Sequence, residues 1–232
     1  MRAPAELNWP DLLAGLDERG YAVLPGLLGA RECRSVAALY ADEAAFRSRV
    51  VMARHNFGRG EYKYLRYPLP PLVAEVREAL DPALAPRANR GHERLELEPR
   101  FPARLDAYLA RCHAAGQQRP TPLILKYEAG DYNCLHQDLY GELVFPLQAT
   151  VLLSAPGADF AGGEFLLVEQ RPRMQSKGEV VPLNQGDAVI FAVNHRPVAG
   201  ARGFYRVTMR HGVSRLHSGH RLTLGIIFHD AA

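Results

Sequence analysis

The chain contains, at residues 125–138, the stretch Leu125-Lys126-Tyr127-Glu128-Ala129-Gly130-Asp131-Tyr132-Asn133-Cys134-Leu135-His136-Gln137-Asp138. Its last part places His136 and Asp138 two residues apart, so on an extended chain both side chains leave the same face. An imidazole and a carboxylate can then converge on one metal ion, provided that a third ligand comes from elsewhere in the chain. The stretch therefore predicts a strand that ends in part of a metal site.

The pair His136 and Asp138 is a weak signal when it stands alone. The chain has nine histidines, and a motif this short also arises by chance. The structural alternative is a histidine at a strand end that hydrogen-bonds a nearby carboxylate, as buried polar groups commonly do. Gln137 leaves the opposite face of an extended chain, and we interpret it as structural. The metal interpretation thus depends on a strand-rich fold and on a third ligand.

Length and composition indicate an ordinary globular protein. The 232 residues are 47% hydrophobic and 23% charged, with a net charge of +3, and a chain of this size forms a core without disulfides or a structural metal. We predict one domain over residues 1–232, with a helical lead-in over 1–120 and a core over 121–230.

The cysteines and the hydropathy pattern predict a cytoplasmic protein. Cys33, Cys112 and Cys134 are odd in number and widely spaced, unlike a disulfide framework. No apolar run approaches the ~18 residues of a membrane span. The N-terminus also lacks a charged-then-apolar leader, so we expect neither a membrane segment nor a signal peptide.

The first half of the chain has the periodicity of amphipathic helices. Apolar residues at helical spacing predict helices within 1–20, over 30–47, near 70–80 and near 102–115. One strand, at 20–25, interrupts them and is stopped by a Pro-Gly pair. These apolar faces are typical of packing surfaces rather than of cofactor sites.

From residue 121 the pattern changes to short strands separated by turn signals. The predicted strands cover 122–128, 143–153, 163–169, 187–193, 203–210 and 221–228. Many short strands with regular turns predict a sandwich or jelly roll. Because the helices come first, we expect a mainly β fold in which the N-terminal helices pack on one sheet.

The third metal ligand should lie on a later strand that crosses near the first one. We favour His211, at the end of a predicted strand, because Arg221 opens the final strand ten residues later and can bind a carboxylate beside the metal. The alternative is His195, with Arg202 or Arg206 behind it. His195 lies in a loop rich in proline and glycine, where no strand fixes its direction.

The motifs taken together resemble the Fe(II)/2-oxoglutarate-dependent dioxygenases. The motifs that carry the resemblance are His136-x-Asp138, Gly162-Gly163-Glu164-Phe165, Gly186-Asp187-Ala188-Val189-Ile190-Phe191, His211 and Arg221. The match covers about residues 120–230, and the ordered combination is specific. It implies a double-stranded β-helix (jelly-roll) core. Within it, we interpret Gly162 and Gly163 as a tight turn and Asp187 as a turn acceptor.

The resemblance also implies roles for individual residues. His136, Asp138 and His211 would hold Fe(II), and Arg221 would bind the C5 carboxylate of 2-oxoglutarate. In related prolyl hydroxylases a tyrosine nine residues before the first metal histidine contacts the cosubstrate; that position is Tyr127, for which a core role is the alternative. The implied reaction consumes 2-oxoglutarate and O2, oxidises a substrate C–H bond and releases succinate and CO2. It implies no catalytic residue beyond the metal site.

Residues 46–67 are the feature that bears on the substrate. Six lysines and arginines stand there among aromatic residues against one acid, Glu61, which gives a local charge of +5. Aromatic rings beside phosphate-binding cations suit a single-stranded nucleic acid or a flipped base. A substrate lid or a solvated basic face is the structural alternative.

The C-terminal run over 224–230, with residues 175–181, resembles a bacterial oxygenase family predicted to demethylate damaged nucleic-acid bases oxidatively, in the manner of AlkB-type enzymes. Nucleic acid is therefore one expected partner. A prolyl-hydroxylase-like enzyme that acts on protein or a free amino acid is the alternative, and Tyr127 favours it. A third alternative is a jelly-roll module that binds without catalysis, which the complete set of metal ligands disfavours.

Overall fold

The computed structural model describes residues 1–98 and 100–232. The α-helices are α1 (Trp9–Arg19), α2 (Ala30–Ala38), α3 (Pro71–Arg94) and α4 (Leu105–Ala114), and short 3-10 helices span Pro4–Glu6, Leu39–Ala41, Glu43–Ala45 and Met52–His55. The strands are β1 (Tyr21–Leu24), β2 (Phe46–Val51), β3 (Gly58–Arg59), β4 (Glu61–Leu65), β5 (Leu123–Glu128), β6 (Tyr132–His136), β7 (Leu147–Leu152), β8 (Phe160–Gly162), β9 (Phe165–Gln170), β10 (Lys177–Val181), β11 (Ala188–Ala192), β12 (His195–Gly200), β13 (Gly203–Val213) and β14 (Leu216–Ile227).

The strands form two antiparallel sheets. The larger sheet has the order β1-β11-β7-β14-β5-β4-β2, with β8 paired to β14, and the smaller has the order β10-β9-β13-β6-β3, with β12 paired to β13. Residues of the two sheets pack together, since Phe165 and Leu167 of the smaller sheet share one apolar cluster with Val189 and Phe191 of the larger. The predicted fold class, a mainly β jelly-roll core with flanking helices, is confirmed.

The helices cover the outer face of the larger sheet. Leu80 and Leu84 of α3 and Tyr108 of α4 belong to the same buried cluster as Ala149 of β7 and Leu224 of β14. The opposite face of the larger sheet is therefore left to meet the smaller sheet. Along the described part of the chain, no helix combines the length and the apolar character that crossing a membrane requires.

The six strands predicted after residue 121 are all present, as β5, β7, β9, β11, β13 and β14. Three differences from the prediction lie in the first half. The helix predicted over 30–47 ends at Ala38 as α2, and two 3-10 helices and the start of β2 follow it. Helix α3 runs to Arg94 through Pro82 and Pro86, although proline disfavours a helix interior. Residues 46–65, within the stretch predicted as a helical lead-in, instead form β2 to β4. Strands β4 and β2 extend the larger sheet beyond β5, and β3 joins the smaller sheet beside β6.

Candidate active site

Pairing between β6 and β13 brings two histidines together. His211 of β13 lies directly opposite His136 of β6 in the antiparallel register, and the two ring centroids are 4.2 Å apart. Asp138 follows two residues after β6 ends. Its Oδ1 is 3.5 Å from Nε2 of His136, and its Oδ2 is 3.2 Å from Nε2 of His211. The three predicted ligands therefore meet at one place.

The donor atoms of this triad fit a divalent metal ion. One ligating atom from each of His136, Asp138 and His211 lies within 4.8 Å of the others. Nδ1 of His136 lies 2.8 Å from the carbonyl oxygen of Cys134, so it donates there and Nε2 keeps its lone pair for a metal. Although burial opposes ionisation, the two imidazoles beside Asp138 hold the pKa of its carboxyl group well below its usual range. Two imidazole nitrogens and one carboxylate are the ligand set of non-haem Fe(II) sites.

Tyr140 contacts the triad and was not predicted. Its hydroxyl donates to Oδ1 of Asp138 at 2.7 Å. Burial and the neighbouring carboxylate of Asp138 raise the pKa of Tyr140 well above its usual value, so the hydroxyl stays protonated as a donor. The available signal was its position two residues after Asp138, which could have suggested a second side chain turned toward the same site.

Arg221 and Tyr127 form a second buried group in the same cavity. They are paired across β14 and β5, and the guanidinium carbon of Arg221 is 5.7 Å from the Tyr127 ring centre. Arg221 is 2% exposed, and its Nε and Nη1 atoms, like the Tyr127 hydroxyl, have no hydrogen-bond partner among the described residues. Burial lowers the pKa of Arg221 to about 10, so it remains a cation at neutral pH. A buried guanidinium with free donors is suited to a carboxylate ligand.

Glycine at position 163 makes room for this arginine. A Cβ there would lie 3.0 Å from Cδ of Arg221 and 2.6 Å from Cδ1 of Leu216. Gly162 and Gly163 both have positive φ, at 75° and 65°, as the turn interpretation expects. Asp187 is a turn acceptor as predicted, because its Oδ2 accepts from the backbone N–H of Asn184 at 2.8 Å.

The triad and Arg221 line one cavity of about 200 Å³ between the sheets. Aromatic side chains form part of its wall, namely Phe57, Tyr62, Tyr140 and Phe165. Phe57 is 48% exposed and stacks on His55, with ring centres 5.3 Å apart, so this aromatic pair reaches from the cavity to the surface.

His195, the alternative third ligand, and Gln137, interpreted as structural, are not part of the triad. His195 begins β12 and lines a separate cavity, which also contains Arg87 and Arg196, so it does not join the triad. Gln137 donates from Nε2 to Oδ1 of Asn194 at 2.7 Å and to the carbonyl oxygen of Met209 at 2.9 Å. Those bonds agree with its interpretation as a structural residue.

Several cations of the basic stretch over 46–67 are engaged within the fold. Lys63 is buried and contacts Glu43 at 2.6 Å, and Arg49 forms an ion pair with Glu61. Arg47 lies over the Tyr64 ring at 4.4 Å and donates to the carbonyl oxygen of Pro120 at 2.8 Å. These cations stabilise the β2–β4 region, which favours the structural alternative for much of the stretch.

The sequence matches one protein-family model and is similar to two proteins of Mycobacterium tuberculosis. Residues 60–231 match the model of the Oxygenase-NA family, described as "Oxygenase, catalysing oxidative methylation of damaged DNA". Two proteins of Mycobacterium tuberculosis, both called uncharacterized, are each 52% identical over 165 residues, which is 71% of this chain and 71% of theirs. They are MT2286 of strain CDC 1551 / Oshkosh and Rv2227 of strain ATCC 25618 / H37Rv.

Solved structures share the fold at low sequence identity. A prolyl-4-hydroxylase of Pseudomonas putida has a TM-score of 0.56 and 14% identity, with 94% of this chain and 96% of that chain covered. A 2OG-Fe(II) oxygenase family oxidoreductase from Burkholderia pseudomallei has a TM-score of 0.53 and 16% identity, with 100% and 96% covered. The chain therefore shares the fold of these enzymes, and it belongs to the Oxygenase-NA family.

Proposed function

We propose that His136, Asp138 and His211 hold Fe(II), and that the protein is a dioxygenase that consumes 2-oxoglutarate and O2. The observation that carries this proposal is the convergence of two imidazoles and one carboxylate, within 4.8 Å of one another, in a cavity that also contains a buried arginine with unpaired donors. A structural histidine–carboxylate pair would need neither the second histidine nor the arginine.

Arg221 and Tyr127 bind the far end of the cosubstrate in this proposal. The guanidinium provides charge-assisted hydrogen bonds to the C5 carboxylate of 2-oxoglutarate, and the unpaired Tyr127 hydroxyl adds a donor beside it. Their burial keeps water away from the ion pair, which strengthens it. The cavity therefore offers one metal-binding end and one cationic end to a dianion.

The bound iron would supply the oxidation of a substrate C–H bond. In the overall reaction, one atom of O2 enters the carboxylate of succinate, CO2 leaves from 2-oxoglutarate, and the other oxygen atom enters the substrate C–H bond. On an N-methyl group this gives an N-hydroxymethyl product, which releases formaldehyde and the free base. The chain holds both ends of the cosubstrate, orients the substrate, and excludes water with apolar walls such as Leu123 and Leu125.

We further propose that the substrate is a damaged nucleic-acid base and that the reaction removes a methyl group. The description of the matching family names damaged DNA, and an oxygenase removes a methyl group by oxidising it. Aromatic walls beside the triad suit a planar base. A free amino acid fits less well, because Arg221 and Asp138 already have roles in this proposal and the described cavity lining holds no further lysine, arginine, aspartate or glutamate to bind a zwitterion.

The proposal is tested by titrating the protein with Mn(II), a redox-stable substitute for Fe(II), and then with 2-oxoglutarate in a calorimeter. We expect His211→Ala to abolish Mn(II) binding and Arg221→Ala to weaken 2-oxoglutarate binding roughly 100-fold, as for a truncated buried charge pair. The matched controls are His195→Ala, outside the triad, and Arg215→Ala, an exposed arginine just before β14.

Turnover is measured as succinate release with Fe(II), in parallel with methylated oligonucleotides, prolyl peptides and free amino acids. Formaldehyde release with oligonucleotides would support demethylation. Unchanged Mn(II) affinity in His211→Ala, or equal loss in His195→Ala, would refute the ligand assignment. If prolyl peptides alone stimulate succinate release, the substrate is a protein or peptide and the proposal of a nucleic-acid base is wrong.

A further inference from the structure

Gln148 is a buried side chain in the active-site cavity whose amide oxygen forms no hydrogen bond within the described part of the chain. It lies on β7, where Leu147, Ala149 and Val151 face the helices and belong to the main core. Side chains alternate along a strand, so Gln148 faces the cavity, which it lines. Gln148 is 4% exposed, and its Oε1 has no hydrogen-bond partner in the described part of the chain.

Two other glutamines of the same region show what a structural glutamine looks like in this fold. Gln117 donates to the carbonyl oxygens of Tyr140 and Leu143 and accepts from the backbone N–H of Leu143 at 2.8 Å. Gln137 donates to Asn194 and Met209. An unpaired buried amide oxygen, such as Oε1 of Gln148, costs about 1–3 kcal/mol relative to an apolar side chain of the same shape. Binding of a ligand would explain why a glutamine occupies position 148 in this sheet.

Strand register places Gln148 beside the triad rather than beside the arginine. Gln148 is paired with Phe191 of β11, and the Phe191 ring is 4.6 Å from the His211 ring. On its other side it is paired with Ile227 of β14, six residues from Arg221. Six residues of strand span about 20 Å between Cα atoms. A group bound by Gln148 is therefore close to the metal ligands and remote from the cosubstrate's distal carboxylate.

The surroundings of Gln148 define the chemistry of that group. In the described lining of the cavity, the charged side chains apart from the histidines are Asp138 and Arg221, and both are assigned to the metal and the cosubstrate. The rest of the wall is mainly apolar or aromatic, and its other polar side chains are uncharged, namely Asn133, Gln137, Thr150 and Thr223. Such a wall suits an uncharged planar ring, and a side-chain amide can both donate to and accept from the edge of such a ring.

We propose that Gln148 is a specificity-determining residue whose side-chain amide hydrogen-bonds the edge of an uncharged nucleobase held between the aromatic walls beside the triad. The inference rests on the proposed function and names the part of the substrate that the site recognises. It assigns base recognition to β7 and cosubstrate binding to β14 and β5. The two can therefore be separated by mutation.

The test compares the parent protein with Gln148→Leu, which keeps the approximate volume and removes both hydrogen-bonding groups. Single-stranded oligonucleotides carry one uncharged N-methylated base, 3-methylthymine or 1-methylguanine, or one cationic base, 1-methyladenine or 3-methylcytosine. We expect Gln148→Leu to lower kcat/KM for the uncharged bases roughly 10- to 100-fold, as for the loss of one bidentate amide–base contact. Anisotropy of labelled oligonucleotides without iron should show the same loss of affinity.

Binding of Mn(II) and 2-oxoglutarate by Gln148→Leu should equal that of the parent, and its melting temperature should be the same or higher. A second variant, Gln148→Glu, adds a negative charge at the same position. We expect it to shift the preference from the uncharged to the cationic bases.

The outcomes separate this inference from the proposed function. A parent protein that binds neither Mn(II) nor 2-oxoglutarate would refute the proposed function itself. With those intact, three results would overturn the role of Gln148: unchanged kcat/KM in Gln148→Leu, an equal loss of 2-oxoglutarate binding, or turnover of prolyl peptides without turnover of any methylated base.

Discussion

The hydrogen bond from Tyr140 to Asp138 fixes the orientation of the one carboxylate in the candidate metal centre. The Tyr140 hydroxyl donates a hydrogen bond to Oδ1 of Asp138 at 2.7 Å, and Oδ2 lies 3.2 Å from Nε2 of His211. A carboxylate held through one oxygen presents the other in a defined direction. Tyr140 is thus a positioning residue that acts through Asp138, and its role is separable from that of the ligands themselves.

We predict that Tyr140→Phe weakens Mn(II) binding about 10- to 100-fold, the usual effect of losing a hydrogen bond to a metal ligand. The ring and its packing remain, so the melting temperature should change little. Calorimetric titration with Mn(II) measures the effect. Tyr62→Phe is the matched control, because Tyr62 also lines the cavity but makes no contact with Asp138 at hydrogen-bond distance. Equal Mn(II) affinities in Tyr140→Phe and the parent would exclude the positioning role.

The residues that can be predicted from sequence differ in kind from those that cannot. His136, Asp138, His211 and Arg221 belong to an ordered motif, so their residue types and spacing already indicate a metal and a carboxylate. Gln148 has no such signal. An alternating strand with one glutamine among apolar residues can place it on a solvated face or in a cavity, and only the packing of the two sheets decides between them.

At the scale of elements, the site depends on how closely β6 and β13 approach each other. Gly212 follows His211 on β13, and a Cβ there would lie 2.7 Å from the carbonyl oxygen of Asn133 on β6. Any side chain at position 212 would therefore push β13 away from β6. The separation of His136 and His211 therefore depends on a glycine that ligates nothing.

We predict that Gly212→Ala weakens Mn(II) binding on the order of tenfold and lowers the free energy of unfolding by about 1–3 kcal/mol through overpacking. Urea denaturation and Mn(II) titration measure the two effects. Gly178→Ala is the control within the same sheet, since a Cβ at Gly178 meets no atom within 4 Å. Gly212→Ala with parent-like Mn(II) affinity would show that the strand spacing is not limiting.

The six strands predicted after residue 121 were predictable because each combines β-forming residues with a turn signal, whereas β6, β8, β10 and β12 were not among those six. The region of β2 to β4 was not predicted, since its aromatic residues and cations resemble a nucleic-acid-binding surface when read locally. Its strand character follows from tertiary pairing: Tyr62 lies opposite Leu125 and Tyr64 opposite Leu123 of β5. Propensity alone does not reveal a partner strand sixty residues away.

At the scale of the whole molecule, buried polar contacts join the helices to the last strand. Arg77 of α3 is 1% exposed, donates to the carbonyl oxygen of Ile227 at 2.8 Å and forms an ion pair with Asp230 at 2.9 Å. His113 of α4 lies 2.8 Å from the same carboxylate. We propose on this basis that residues 1–232 form one domain, because the helical half and the sheet half share a core and a buried ion pair.

Asp81 is a buried carboxyl group of α3 whose charge opposes folding. It is 1% exposed, and its Oδ2 has no hydrogen-bond partner among the described residues. Burial raises the pKa of Asp81 from 3.8 to about 6, Arg77 opposes the shift, and Asp106 adds to it. The folded state therefore binds this proton more tightly than the unfolded state does.

The pH dependence of stability that follows has a defined sign. Below about pH 4, Asp81 is protonated in both the folded and the unfolded state, so its ionisation does not change the stability. Between about pH 4 and pH 6 the unfolded state loses the proton first. The ionisation of Asp81 therefore destabilises the fold increasingly as pH rises. Above pH 6 the full cost remains. We predict that Asp81→Asn raises the free energy of unfolding at pH 7 by roughly 1–3 kcal/mol relative to the parent.

The measurement is urea denaturation of the parent and Asp81→Asn at several pH values from 4 to 7, because their difference removes the contribution of every other titrating group. The difference should be small at pH 4 and should grow up to about pH 6. Glu78→Gln, which removes an exposed carboxylate of the same helix, is the control for the loss of one negative charge. If Asp81→Asn is equally stabilising at pH 4 and pH 7, the ionisation of Asp81 does not limit the stability of this fold.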